Sequence, residues 1–336
     1  MRPSIRQVAE HARVSPMTVS RVLRGRKSQV ADETFERVMG SVRELGYVPV
    51  ASALQNRHVE TGSIGVVPFY GNIAANPIDS QTFEGLCAKA RGHSRDLLVM
   101  LREDEDWMHI SARFLDRRTD GFIFISPDVQ GWQSIVRELQ LHDIPTVVCY
   151  RRDVPAGVAW VDPDNERIAH LAVAHLREHG HKRLAYLSGP NALASFDDCA
   201  RQNAFVAQCA ALGLDEPLLV EGATDDWRLR PDVLPRLQGA GVTGVLAVND
   251  FLALQLWEAA DEAGLSIPRD FSLVGVDDQD TPHRGLSSIG FGYAHVGKLA
   301  VEAWMALQSG QNASDCCRVV PVHLVERTSV GPRTAT

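Results

Sequence analysis

A chain of 336 residues is longer than one typical domain and suits a small head with a two-lobed body. Charge is divided: residues 1–58 hold 10 Lys/Arg against 5 Asp/Glu, and the remainder holds 24 against 37, for −8 overall. A basic head on an acidic body suits nucleic-acid contact through the head alone, and no apolar run nears the ~20 residues that span a bilayer.

The N-terminus lacks the apolar stretch of an export signal, so the expected location is the cytoplasm, with no membrane partner. The six cysteines (Cys87, Cys149, Cys199, Cys209, Cys316, Cys317) show no C-x-x-C and no Cys/His metal spacing. Free thiols in a reducing compartment are expected, with no metal and no cofactor.

The first predicted element is a short amphipathic helix in which Ile5, Val8, Ala9 and Ala12 share one face. A turn follows, then a second helix with Val19, Val22 and Leu23 inward. Ser4 and Ser15 stand at N-cap positions and Pro16 at the first helical position. Two helices so spaced form a helix-turn-helix, whose second helix fits a DNA major groove. A third helix is predicted from Asp32 to Leu45, with Phe35, Val38, Met39, Val42 and Leu45 closing a three-helix head. Gly46 ends it, Tyr47 and Pro49 begin a connector, and Val50 to Arg57 can form a short hinge helix.

From Ser63 onward, β-rich runs alternate with helical patterns. The runs are Ile64–Val67, Leu97–Leu101, Phe122–Ile125, Thr146–Tyr150, Leu184–Leu187, Val242–Val248 and Ser272–Val276. Helical stretches such as Asn165–His179, Ala200–Leu212 and Asp250–Ala263 lie among them. This βαβ rhythm predicts α/β architecture with parallel sheets covered by helices. The strands are too many for one sheet, so two Rossmann-like lobes are expected, with ligands beyond the strand C-termini.

The pattern V-A-E-x-A-x-V-S-x-x-T-V-S-R-V-L, from Val8 to Leu23, resembles the LacI/GalR family of bacterial transcription regulators. The likeness continues through Val30-Ala31-Asp32-Glu33-Thr34 and Leu45-Gly46-Tyr47-Val48-Pro49 and along the effector half. It implies a DNA-binding head over residues 1–49, a hinge helix and linker over 50–62, and a body of periplasmic-binding-protein type. The body's N-lobe would comprise 63–161 with 291–320, and its C-lobe 162–290 with 321–336. The chain would cross between lobes near Asp162, Gly290 and Pro321. The implied function is sequence-specific transcriptional regulation, most often repression, controlled by a small effector between the lobes.

Carried onto this chain, the resemblance places Arg21 at a DNA-contacting position, where arginine can grip guanine bidentately. Thr18 and Ser20 suit phosphate contacts, and Ser15 caps the reading helix toward the backbone. Pro16 and Met17 occupy the two variable reading positions; they either meet a thymine methyl or fill space. Arg6 matches a position that reaches base or phosphate. Arg24, Arg26 and Lys27 form a basic loop, suited to phosphates or to solvent. Two departures stand out: Arg13 occupies a turn position where the family often has glycine, and Ala31 replaces a capping hydroxyl. In the hinge, Ala51-Ser52-Ala53-Leu54 carries the motif whose leucine wedges into the minor groove. Counting from Pro49 or from Ser63, however, puts Asn56 at that place. Leu54 is favoured because asparagine is a poor wedge. Two half-sites read by a homodimer imply a pseudo-palindromic duplex operator.

In the body, Ser195 and Arg201 match effector-contact positions, as do Trp227, Asn249 and Asp277. Arg201 would offer a hydrogen-bond fork, Trp227 a face for a sugar ring, and Asp277 a carboxylate for adjacent hydroxyls. Each has a plainer alternative: Trp227 as core, Asn249 as a helix cap, Asp277 as a turn former. Phe69 and Tyr70, with Asn72, would form the near wall. Tyr150 stands where some sugar-responsive members have an acid, and Arg151 follows it. Arg151 with Arg201 would make the cleft cationic, favouring a sugar acid or sugar phosphate over a neutral sugar, unless Arg151 is a solvated loop charge. The other readings are a sugar-binding sensor without DNA function, disfavoured by the basic head, and an enzyme. No G-x-S-x-G, Walker loop, H-E-x-x-H or strand-following G-x-G-x-x-G occurs, so no catalytic residue is assigned.

Overall fold

The computed structural model describes residues 4–23, 30–45, 60–68, 76–101, 114–115, 118–125, 131–190, 195–279 and 284–333. Its contacts divide the chain into two units, Met1–Ser63 with Met108–Asp120, and Ile64–Trp107 with Gly121–Thr336. Most of the expected hinge, including Leu54 and Asn56, lies outside the described residues.

The first unit holds α1 (Ile5–His11), α2 (Pro16–Leu23) and α3 (Asp32–Glu44). Their apolar faces meet in a core of Val8, Ala9, Ala12, Val19, Val22 and Val38, flanked by Ile5, Val14, Phe35, Met39, Val42 and Leu45. Ser4 caps α1 in a reciprocal box. Its Oγ accepts from Gln7 N at 3.4 Å, and its own N donates to Gln7 Oε1 at 2.7 Å. Arg13 takes φ +51°, the conformation that favours glycine, so the turn carries the strain its sequence implied. Arg37 bridges the helices by donating from Nε to Ala12 O at 3.0 Å. Later in this unit, the Asp120 carboxylate receives the N–H groups of Thr61 and Gly62.

The second unit contains β1 (Ser63–Val67), α4 (Pro77–Gly92), β2 (Asp96–Val99), β3 (Phe122–Ile125), α5 (Trp132–Leu141), β4 (Thr146–Cys149) and β5 (Ala159–Pro163). There follow α6 (Asn165–Glu178), β6 (Leu184–Ser188), α7 (Phe196–Ala211), β7 (Leu218–Glu221), α8 (Val233–Gly239), β8 (Gly244–Ala247), α9 (Asp250–Glu262) and β9 (Ser272–Val276). The chain ends with β10 (Ser287–Gly290), α10 (Tyr293–Gln308), α11 (Ala313–Cys316), β11 (Arg318–Val320) and β12 (His323–Val325). Two six-stranded sheets result, in the orders β11-β5-β4-β3-β1-β2 and β12-β10-β9-β8-β6-β7. The chain passes from the first sheet to the second after β5, returns after β10, and crosses again between β11 and β12.

Strands β3, β4, β6, β8 and β9 are buried throughout, as parallel strands covered on both faces must be. β12 runs antiparallel to β10 at its sheet edge. Helices α4 and α10 pack against each other through glycines. A Cβ on Gly85 would collide with the backbone of Ala294, and one on Gly297 with the backbone of Thr82. Several elements differ from the sequence reading. β2 ends at Val99, β8 begins at Gly244, and α7 begins at Phe196, four residues before the predicted Ala200. Among the described residues, no helix is long and apolar enough to cross a membrane.

Candidate functional site

In the first unit, the residues left over after core packing define an outward face. Val19 and Val22 turn inward, which leaves Pro16, Met17 and Arg21 exposed, Met17 at 65%. Ser15 accepts from Thr18 N at 3.1 Å and shares a 2.9 Å bond with the Thr18 hydroxyl, so it caps α2. Thr18 and Ser20 are half-buried beside this face. Arg21 Nη2 lies 3.5 Å from Met17 Sδ, one turn away. Arg6 is exposed on α1. Arg24, Arg26 and Lys27 lie outside the described residues.

In the second unit, polar groups collect at the C-terminal ends of both sheets. Arg201, on α7, is buried. Its Nε donates to Asn165 Oδ1 at 2.7 Å and its Nη1 to Val248 O at 2.8 Å. Asn165 in turn points its Nδ2 at Asp162, 3.2 Å from Oδ2. Asp162, fully buried at the end of β5, receives Arg152 Nε at 2.6 Å, and Arg152 lies over the Trp160 ring. Burial pushes the Asp162 carboxyl up to about 8, with Asp197 adding to the shift and Arg152 opposing it.

Asp277 follows β9. Burial pushes its carboxyl up to about 7, against the Arg201 charge and a hydrogen bond from the Tyr293 hydroxyl. Tyr293 begins α10, and its ring meets Tyr150 edge-on at 5.9 Å and Phe291 at 5.1 Å. The Tyr150 hydroxyl shares a 2.6 Å bond with Thr82 Oγ1 on α4. The two lobes touch again where Gln81 Nε2 donates to Gln279 Oε1 at 2.8 Å. Tyr150, Arg201 and Asp277 therefore belong to one electrostatically connected cluster fed by both sheets.

The backbone is strained at the same places. Tyr150 (φ +65°), Trp227 (φ +59°), Asp277 (φ +108°) and Asp278 (φ +48°) all occupy positive φ without being glycine. Such conformations persist where surrounding structure enforces them, and they gather at ligand sites. Trp227 is half-buried and lies against Gly189, where a Cβ would stand 2.8 Å from its Cη2. Gln255 Nε2 holds the Trp227 carbonyl at 2.9 Å.

Asn249 does cap α9: its Oδ1 accepts from Leu252 N at 2.8 Å. Its Nδ2 has no partner among the described residues, so capping leaves a donor spare. Ser195 opens α7 without a capping bond. Phe69, Tyr70 and Asn72 lie outside the described residues. Arg151, expected in a cationic cleft, pairs with a neighbouring acid. Its Nε and Nη2 donate to the two oxygens of Asp153 at 2.8 and 2.7 Å, and its guanidinium lies 5.4 Å from the Trp132 ring centre. Its charge is already matched.

Sequence reasoning missed Asp162, Asn165, Asp197 and Tyr293. The Asp197-Asp198 pair beside Ser195 and the aromatic run Phe291-Gly292-Tyr293 were the available signals.

These features define a two-lobed ligand-binding body of the periplasmic-binding type, carried by a chain that opens with a helix-turn-helix. Residues 4–50 match the lacI family of bacterial regulatory proteins, and residues 173–330 match the periplasmic binding protein-like domain. The HTH-type transcriptional regulator AglR of Rhizobium meliloti is 30% identical over 281 residues, 82% of this chain and 78% of that protein. The HTH-type transcriptional regulator GntR of Pseudomonas aeruginosa is 28% identical over 98% of this chain and 96% of its own length. Among solved structures, the Lac repressor dimer bound to operator and the anti-inducer ONPF aligns with TM-score 0.74 at 25% identity, covering 98% of this chain and all of that one. The transcriptional regulator CelR in complex with cellobiose aligns with TM-score 0.70 at 23% identity, covering 98% of this chain and all of that one. The chain belongs to the LacI family of bacterial transcription regulators.

Proposed function

We propose that this protein is a cytoplasmic, homodimeric repressor that grips a pseudo-palindromic operator through its heads and is controlled by a small sugar-like effector held between its body lobes. The observation that carries the effector half is the joining of Tyr150, Tyr293, Asp277 and Arg201, from both lobes, into one strained and hydrogen-bonded cluster. The DNA half rests on the exposed Pro16-Met17-Arg21 face of α2 and on the operator-bound Lac repressor dimer as a structural relative. The head would span residues 1–49 and the hinge 50–62, with Leu54 as the minor-groove wedge. The lobes would be 63–161 with 291–320, and 162–290 with 321–336. Phe69 and Tyr70 would wall the cleft, and Arg24 and Lys27 would meet phosphates.

The mechanism is linkage. A ligand that favours one arrangement of the lobes changes operator affinity by a coupling free energy, typically about 1–3 kcal/mol. The sugar-acid version loses its footing once Arg151 is engaged by Asp153, which leaves a hydroxyl-rich ligand as the better fit. Selection of bound duplexes from a random pool, repeated with candidate sugars present, tests the reading. A two-fold symmetric consensus whose recovery changes with one sugar supports it. Binding without sequence preference overturns it.

A further inference from the structure

Asp197 lies in the first turn of α7, between Ser195 and Arg201. It bears electrostatically on Tyr150 and Asp162 of the first sheet's strand ends and on Tyr186 and Asp277 of the second's. It is itself acted on by Arg201 and Arg151, and by Asp198 and Asp153. Groups from both lobes surround it, which places it in the cleft. Its Oδ1 is buried and has no hydrogen-bond partner among the described residues. A buried charged acceptor left without a donor is costly, so the position is one a ligand donor would relieve.

The neighbouring carboxylates are already served. Asp162 receives Arg152 and Asn165, Asp153 receives Arg151, and Asp277 receives the Tyr293 hydroxyl. Asp198 receives the Tyr186 hydroxyl at 2.7 Å and Gly189 N at 2.8 Å. Among the described arginines, Arg151 pairs with Asp153 and Arg152 with Asp162, and Arg201 bears on Asp197, Asp198 and Asp277. Among the described residues, the cleft is short of a donor at the Asp197 carboxylate. A neutral sugar supplies donors without charge, and an acid would face that carboxylate with a like charge. An ammonium group supplies both a donor and a positive charge.

We propose that Asp197 selects an amine-bearing effector, an amino sugar or similar small amino polyol, whose ammonium group meets the Asp197 carboxylate while its hydroxyls meet Asp277 and Arg201. This rests on the effector reading above. The test is calorimetric titration of the full chain near neutral pH with glucosamine, galactosamine and mannosamine. Each is compared with its parent hexose and its N-acetyl derivative. At least one amine is expected to bind about tenfold more tightly than both its neutral counterparts, the value of one charge-assisted hydrogen bond. Asp197→Asn, and Asp197→Ser beside it, should erase that preference, so that each amine binds no more tightly than its parent hexose does to the same variant. A neutral hexose that binds as well as its amine overturns the inference and leaves the effector reading standing. A preference that survives both Asp197 variants also overturns it. Binding by none of the compounds removes the inference, and the effector reading is then judged by the DNA selection alone.

Discussion

Arg201 donates to Asn165 Oδ1 at 2.7 Å and to Val248 O at 2.8 Å, so one buried guanidinium ties the starts of α6 and α7 to the end of β8. It also sits in the field of Asp197 and Asp277. Lysine in its place keeps the charge but cannot form both bonds in the same plane. Arg201→Lys is expected to leave a buried acceptor unsatisfied and to lower stability by about 1–3 kcal/mol. Effector affinity should fall by roughly 10- to 100-fold, as expected when one fork of charged hydrogen bonds is lost. Urea unfolding and calorimetric titration measure the two effects, and unchanged ligand affinity would remove Arg201 from the site.

The head offers a separable test. Arg21 is exposed on the same face as Met17, one turn away. If it reads a guanine, Arg21→Ala costs about 1–3 kcal/mol on the selected operator and relaxes the preference at one base pair. Arg6→Ala, a phosphate contact in the alternative reading of that residue, should weaken all duplexes alike and reduce the salt slope by about one. Fluorescence anisotropy across a salt series distinguishes them. Equal losses on specific and bulk DNA for Arg21→Ala would show that Arg21 reads no base.

Packing of α4 on α10 gives a prediction about stability alone. Gly297 sits where any Cβ would strike the Thr82 carbonyl, a backbone atom that cannot swing aside. Gly297→Ala is expected to destabilise the body by about 1–3 kcal/mol or more, the usual penalty for overpacking. Gly40, inside α3, has open space around its missing side chain. Gly40→Ala should therefore stabilise the head by about 0.5–1 kcal/mol through helix propensity and a stiffer unfolded chain. Thermal scans resolve opposite signs. A neutral Gly297→Ala would mean that the two helices separate at little cost.

What could be read from sequence follows from how local each feature is. The three head helices declared themselves by apolar period and caps, and Phe122–Ile125 and Leu184–Leu187 by unbroken apolar runs. β10 did not, because Ser287 and Ser288 look like loop residues. Their hydroxyls are in fact internal partners, Ser287 donating to Arg327 O and Ser288 to Asp250. Asn249 and Asp277 could be picked from their places at strand ends. Asp162 and Asn165 could not, since their role exists only when separate strands and helices bring them beside Arg201. The Arg151–Asp153 pair was visible as a spacing of two residues, but a spacing does not separate a buried fork from two solvated charges.

Asp250 makes the fold sensitive to pH in a direction opposite to an ordinary salt-bridged carboxylate. Its side chain is buried and accepts from Ser288 Oγ at 2.7 Å and Gln279 N at 2.9 Å. Burial pushes its carboxyl up to about 8; the Asp277 and Asp278 charges add to the shift, and the bonds from Ser288 and Gln279 oppose it. In the unfolded chain an aspartate titrates near about 3.9. Between those values the folded state holds a proton that the unfolded state has released. The associated stability is complete at the acid end of this window and is lost as pH rises through it. Asp162, also pushed up to about 8, acts in the same sense. Asp250→Asn keeps an oxygen acceptor and removes the titration. Its stability should fall less steeply than the unsubstituted chain's from about pH 5 to about pH 8, by at most one proton's slope of about 1.4 kcal/mol per pH unit. Urea midpoints across that range give the two slopes, and parallel curves would show that Asp250 is ionised in the folded protein at neutral pH.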